Sequence, residues 1–197
     1  MESQTVKLPT EDQIIEYLLN KSKFFERVLV KDWSGWSYKE RGRSTQTNFY
    51  RAFDVAMIER QEVSKNSYDL IITGYEAKGY TLNKQKKWSP PAFGEGLDQA
   101  LALLMNGADF AYLVHPEPKR SEDKQDLKLL CERYANYLGL MIVSNDLTYS
   151  SEIKKPEKNP YSNRDKKRDM LTALAIGGHY DKKFGLALPS WVKTRQY

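Results

Sequence analysis

The chain has one cysteine and two histidines in 197 residues, and these shortages exclude several chemistries. Cys131 has no second thiol to pair with, so no internal disulfide is expected, which fits an intracellular, cytoplasmic setting. With His115 and His179 as the only histidines, no zinc site of ordinary type is available. No run approaches the roughly 18 apolar residues of a membrane span, so no membrane partner is expected. The first residues lack the basic start and apolar stretch of a secretory signal. No Gly-rich loop leads into Lys-Ser or Lys-Thr, which argues against nucleotide hydrolysis.

What is present is a folding composition, 40% hydrophobic and 12% aromatic, unlike that of a disordered chain. The length suits one domain, expected at residues 1–150, with 151–197 as a basic C-terminal extension packed on it. The formal charge is +5. Basic residues gather at 39–51, at Lys84, Lys86 and Lys87, and across 154–168. Such clusters suit an anionic partner, nucleic acid first, because phosphate neutralisation dominates that affinity. Charge alone favours ordinary solvated surface; a nucleic-acid reading needs a site.

Thr10 with Gln13 after Pro9 makes a capping-box pattern. Ile14, Ile15, Leu18 and Leu19 then supply the stripe of a first helix over 10–25. A first strand is expected at 28–32 or at 36–39, with Gly35 and Gly42 marking turns. Apolar strands follow at 49–58 and 68–78, joined by the polar stretch 59–67 as an antiparallel hairpin or meander. A basic, aromatic loop covers 80–93. Leu97, Ala100, Leu101, Leu104 and Met105 mark a buried helix over 94–106, ended by Asn106-Gly107.

A central strand at 108–115 is closed by Pro116, and a helix follows at 122–138, with Cys131 packed among Leu127, Leu130 and Tyr134. A buried strand at 140–144 comes next. Alternating strands and helices predict an α/β fold, a mixed central sheet flanked by helices. Residues 151–164 read as a linker or long surface loop. Asn163 reads as the cap of a short helix bearing Met170, Leu171, Leu174 and Ala175.

Charged residues inside apolar strands need a reason. Asp54 lies between Phe53 and Val55, and Glu76-Ala77-Lys78 ends an otherwise apolar segment. Strand side chains alternate, so Glu76 and Lys78 point the same way, roughly 6–7 Å apart. Asp54 on a neighbouring strand is able to join them. Other acid–x–lysine pairs, such as Glu117 with Lys119 or Asp181 with Lys183, fall in loops, helices or the tail. Burying a lone carboxylate is costly unless it is paired or binds a metal. The plainer account is an edge salt bridge to Arg51, Lys78 or Arg60.

Gln99 follows Glu95 by one helical turn, so the two are expected on one face, toward the same pocket. Otherwise Gln99 serves a backbone group and Glu95 the helix dipole. Lys84, Lys86, Lys87 and Arg51 are candidate phosphate contacts, and Trp88 or Tyr80 candidate stacking platforms. Trp88 equally suits packing of its loop on the sheet.

In order, an N-terminal helix, Asp54 on a strand, Glu76-Ala77-Lys78 on the next, a helix bearing Gln99 and the strand 111–116 resemble the PD-(D/E)XK nuclease superfamily. This is the restriction-endonuclease-like fold that includes Holliday-junction resolvases. The resemblance covers residues 10–146, and the lysine- and tyrosine-rich composition is similar to archaeal virus members, which would place the protein inside a host cell. It implies an αβββαβ core and cleavage of DNA phosphodiester bonds with Mg²⁺ or Mn²⁺, on branched, broken or single-stranded DNA, with a homodimer common among relatives.

By that resemblance Asp54 and Glu76 bind the metal with the Ala77 carbonyl, and Lys78 orients water or stabilises charge. Gln99 matches the helix glutamine of several member families. Some members add a first-helix glutamate, for which Glu16 is the candidate, its plainer account being an exposed helix position. Glu95 is a separate candidate addition from the helix of Gln99. Phe53 stands where the motif has proline. Two other classes stay open: a catalytically silent nucleic-acid-binding protein on the same fold, and a partner-binding module whose buried charges are structural.

Overall fold

The computed structural model describes residues 8–21, 28–31, 54–64, 67–134 and 136–167. Its first element, helix α1 (Glu11–Lys21), opens with the expected capping box. The Thr10 amide donates to Gln13 Oε1 at 3.0 Å, and the Gln13 amide donates to Thr10 Oγ1 at 3.4 Å. Two N–H groups that no helical carbonyl could reach are thereby satisfied. Ile14, Ile15 and Leu18 form the buried stripe.

Strands β1 (Val28–Lys31), β2 (Val55–Ser64) and β3 (Ser67–Ala77) form an antiparallel meander. Residues 59–64 continue β2 instead of forming a loop. Their backbone pairs with β3, from Glu59 opposite Ile71 to Glu62 opposite Tyr68, while Gln61, Val63 and Ser64 face solvent. The expected loop over 80–93 contains a small hairpin, β4 (Thr81–Leu82) against β5 (Trp88–Ser89). Then come helix α2 (Leu97–Met105), strand β6 (Phe110–Pro116), helix α3 (Ser121–Tyr134), and strands β7 (Leu138–Val143) and β8 (Ser150–Lys154).

Among the described residues, six strands make one sheet in the order β1-β2-β3-β6-β7-β8. The centre, β3-β6-β7, is parallel and both flanks are antiparallel. The fold is thus α/β, a mixed central sheet flanked by helices. Strand alternation sorts its side chains. Tyr75, Ala77, Tyr112, Val114 and Val143 pack with Val55 and Met57 under α1, and the Tyr75 and Tyr112 rings stack at 5.2 Å. The intervening Glu76, Leu113 and His115 face the side where α2 buries Ala100, Leu103 and Leu104. Each such large apolar side chain contributes roughly 1.5–3 kcal/mol by leaving water.

Two expectations change here. Residues 94–96 form a turn, with Gly94 and Gly96 at φ 74° and 83°, so α2 is shorter than 94–106. Of residues 151–164, expected as a linker or long surface loop, 151–154 belong to β8 and 155–163 are a loop that packs back on the sheet. β8 adds an edge strand to β7, so the sheet itself crosses residue 150. Beyond it, buried Asn159 donates to the Leu104 and Ala108 carbonyls at 2.7 and 2.8 Å. Buried Lys167 pairs with Asp109 at 2.8 Å and donates to the Leu70 carbonyl at 2.7 Å. Asn163 does cap the following turn, its Oδ1 accepting the Lys166 amide at 3.0 Å. Positions 36–39 and 170–175 lie outside the described residues.

Candidate active site

Buried charges gather at the C-terminal end of β3. Val55 lies opposite Tyr75, so the register carries Asp54 to the position across from Glu76. Asp54 Oδ2 accepts the Ala77 amide at 2.7 Å, which fixes that carboxylate where the two strands separate. Glu76 and Lys78 are 2% and 6% exposed, and Lys78 Nζ sits 2.7 Å from Glu76 Oε1. A third acid comes from α1, whose Glu11 Oε2 is 3.3 Å from the same ammonium. The Lys78 amide donates to the Val114 carbonyl at 2.8 Å, tying this end of the chain to central β6.

Close approach of backbones makes the cluster possible. A Cβ at Gly79 would collide with the backbone of Thr10 and Glu11, and the Tyr80 amide donates to the Pro9 carbonyl at 2.8 Å. Only hydrogen at this position lets the start of α1 press on the end of β3 and carry Glu11 to Lys78. Gly96 does similar service from α2: a Cβ there would stand 2.7 Å from Lys78 Cε.

Burial decides the protonation states. The Glu76 carboxyl is pushed from its ordinary 4.5 up to about 7, by burial first and the charge on Asp54 second, with Lys78 pulling back only in part. Burial also disfavours the charge on Lys78, but the hydrogen bond and charge of Glu76, then Glu11 and Asp54, outweigh it, and its pKa is raised. Lys78 therefore remains an ammonium. Buried His115 donates its Nε2–H to the Glu95 carbonyl at 3.1 Å. Burial holds its pKa below the ordinary value, and the Lys78 charge acts the same way.

Three carboxyl groups around one ammonium favour a further cation. Among the described residues, no three His, Cys, Asp or Glu side chains form a ready metal cage. A cation here would complete its coordination with water or a phosphate oxygen, as Mg²⁺ ordinarily does.

The structure brings Asp54, Glu76 and Lys78 together, and Ala77 joins them through its amide. Gln99 is half-buried on α2, with no hydrogen bond to this group among the described residues. Glu95 does not share a helix face with Gln99, because it precedes α2. Its exposed carboxylate accepts the Ala92 amide at 2.8 Å. Glu16 is exposed; the first-helix glutamate that reaches Lys78 is Glu11. The signal for Glu11 was its place in the first turn, directly after the capping Thr10. Lys84, Lys86 and Lys87 are exposed on the β4–β5 hairpin, and Trp88 is half-buried in β5. Asn83 Oδ1 holds that hairpin's tip by accepting the Gln85 and Lys87 amides at 3.0 and 2.9 Å. Arg51 lies outside the described residues.

Compared with known proteins, the chain matches no family model, no curated protein and no solved structure.

Proposed function

We propose that this chain is a divalent-metal-dependent nuclease that cleaves DNA phosphodiester bonds on a restriction-endonuclease-like fold. The observation that carries the proposal is the meeting of Asp54, Glu76 and Lys78 at one end of β2 and β3, and the pKa of Glu76, raised by burial first and by Asp54 second, agrees with it. The element order α1-β1-β2-β3-α2-β6, with the β4–β5 hairpin inserted before α2, supports it. The donor set fits Mg²⁺ or Mn²⁺: hard carboxylate oxygens, no thiolate, and excess negative charge around one ammonium.

Asp54 and Glu76 would hold the ion, which when bound neutralises phosphate charge and makes a coordinated water more acidic. The protein's own groups do the rest. The Ala77 amide orients Asp54. Lys78, kept charged, stabilises the negative charge that grows on the phosphate oxygens. Glu11 steadies the ammonium from the α1 side. The exposed hairpin lysines supply phosphate contacts that set the register of the strand.

The test is incubation of plasmid, single-stranded and four-way-junction DNA with the protein and Mg²⁺ or Mn²⁺. Cleavage is expected, and Asp54→Ala or Lys78→Ala should lower it roughly 10²–10³-fold while binding persists. No cleavage of any substrate by the unaltered protein overturns the proposal. A second reading, a catalytically silent DNA-binding protein on this fold, draws on the compensation of Lys78 by Glu76 and Glu11. Binding without cleavage under either metal is its outcome.

A further inference from the structure

A cavity of about 400 Å³ is lined by Tyr80 and His115, which adjoin the Lys78 group along the chain and across β6. One wall is the segment after β5, with Pro91 and Phe93; the other includes Lys119 and Arg120, just before α3. Both Tyr80 and His115 are buried. Tyr80 stands two residues beyond Lys78, about 6–7 Å along an extended chain. His115 directly follows Val114, whose carbonyl accepts the Lys78 amide at 2.8 Å. The cavity thus begins about one extended nucleotide away from the group proposed to meet the phosphate.

Inside, the cavity offers flat apolar surface and one neutral ring; outside, it offers positive charge. The His115 Nε2–H is taken by the Glu95 carbonyl, so Nδ1 of the uncharged ring is an acceptor. Phe93 is 61% exposed, which leaves an aromatic face uncovered at the rim. Lys119 and Arg120 are exposed at the opposite rim, although Arg120 shares its charge with Asp123 at 3.2 Å. A flat heterocycle with an anionic group on the Lys119 side matches this arrangement. A paired base does not enter such a slot, because its edge and faces are already covered in the duplex.

We infer that this cavity holds one unpaired nucleobase of the DNA strand whose neighbouring phosphate lies at Lys78, so that the site selects single-stranded, flapped or gapped DNA. The inference rests on the nuclease reading above for the position of that phosphate. Stacking of a base on an aromatic side chain accounts for a sizeable share of affinity in single-strand binding. Cationic rim groups then meet the adjoining phosphates.

The experiment is a binding titration of the full chain, without divalent metal, using oligonucleotides that carry 2-aminopurine. The fluorescent base is placed either unpaired in a gap or paired in a duplex. The unpaired probe should bind more tightly, with quenched fluorescence. Phe93→Ala should weaken its binding roughly 5- to 150-fold. Ala92→Trp, at an exposed rim position, should do the same by filling the slot. Equal affinity for the two probes overturns the inference, as does an unchanged preference in both variants. Because binding is read without metal, the two readings fail separately. Metal-dependent cleavage without base preference removes the cavity's role alone, and base preference without cleavage removes the nuclease alone.

Discussion

Glu76 is a buried acid held beside a second acid, and that leaves a measurable dependence on pH. Its carboxyl is raised from 4.5 to about 7 in the folded chain, so the native state keeps a proton that the unfolded chain releases. The contribution to stability is complete below about pH 4.5 and is lost as pH rises through 7. Between pH 5.5 and 8 this one group should cost on the order of 2 kcal/mol, or about 4–8 °C in Tm. Glu76→Gln should show a flatter Tm profile over that range. If the proposed Mg²⁺ site exists, the ion binds the ionised form, so its stabilisation should grow with pH in the native chain and lose that pH dependence in the variant. Thermal melts with and without 5–10-fold steps in Mg²⁺ read all of this; parallel profiles for the two proteins would sink it. At the same scale, and on the proposed nuclease reading, Glu11→Gln should reduce cleavage about tenfold by releasing one side of the Lys78 ammonium, while Glu16→Gln, exposed on α1, leaves the rate unchanged. Kinetics of the two variants side by side decide between them. Residue types at Asp54, Glu76 and Lys78 were readable because charge inside an apolar strand is conspicuous. Glu11 had only its place in the first turn to mark it, because helical periodicity marks a buried stripe and does not say which end of the helix abuts the sheet.

Elements depend on contacts that their own sequences only partly announce. The capping box and stripe of α1 were legible, since both arise from interactions within a turn or two. The stripe expected on α2 held only at Ala100 and Leu104: Met105 is exposed and Leu103, outside that stripe, is fully buried. Periodicity reports burial and misses hydrogen-bond pairing. The polar residues 59–64 therefore looked like a loop although their backbone completes the β2–β3 ladder. Glu95 looked helical because Gly94 and Gly96 were read through, yet their positive φ delays the start of α2. Gly79 is the sharpest instance. Nothing about one glycine after a strand shows that a helix terminus will lie against it. Gly79→Ala should force α1 away from β3, breaking the Tyr80–Pro9 hydrogen bond and the Glu11–Lys78 pair together. The expected cost is about 3 kcal/mol, the upper end of what overpacking ordinarily costs, because the collision is with backbone. Chemical denaturation should show the lower midpoint, and cleavage per folded molecule should fall as well. A variant as stable and active as the parent would mean that α1 does not set this end of the site.

At the scale of the molecule, the polar segment after β8 fastens one end of the sheet, while the Lys78 group occupies the other. Composition could not show this, because Asn159 and Lys167 are ordinary surface residues until a partner is folded against them. Here the α2–β6 junction presents two carbonyls to Asn159. Asp109, fully buried at the start of β6, already accepts the Ile72 amide at 2.8 Å and the Ser162 hydroxyl at 3.0 Å. Lys167 supplies the opposing charge at 2.8 Å. A buried pair of this kind is not strong evidence of net stabilisation, because both ions lose water. Removing only one member is a different matter, since the survivor stays buried and uncompensated. Lys167→Met should therefore destabilise the chain by about 3–5 kcal/mol, or roughly 6–20 °C in Tm. Adding Asp109→Asn to that variant should restore a large part of the loss, giving a coupling energy well above the 0.5 kcal/mol expected of independent sites. From Asp109 to His115 β6 spans about 20 Å, so cleavage by the molecules that remain folded should be unaffected. Denaturant midpoints of the two single variants and the double variant measure the coupling. Additive losses, or a Lys167→Met chain that unfolds with the parent, would show that the segment around 159–167 rests on the sheet without holding it.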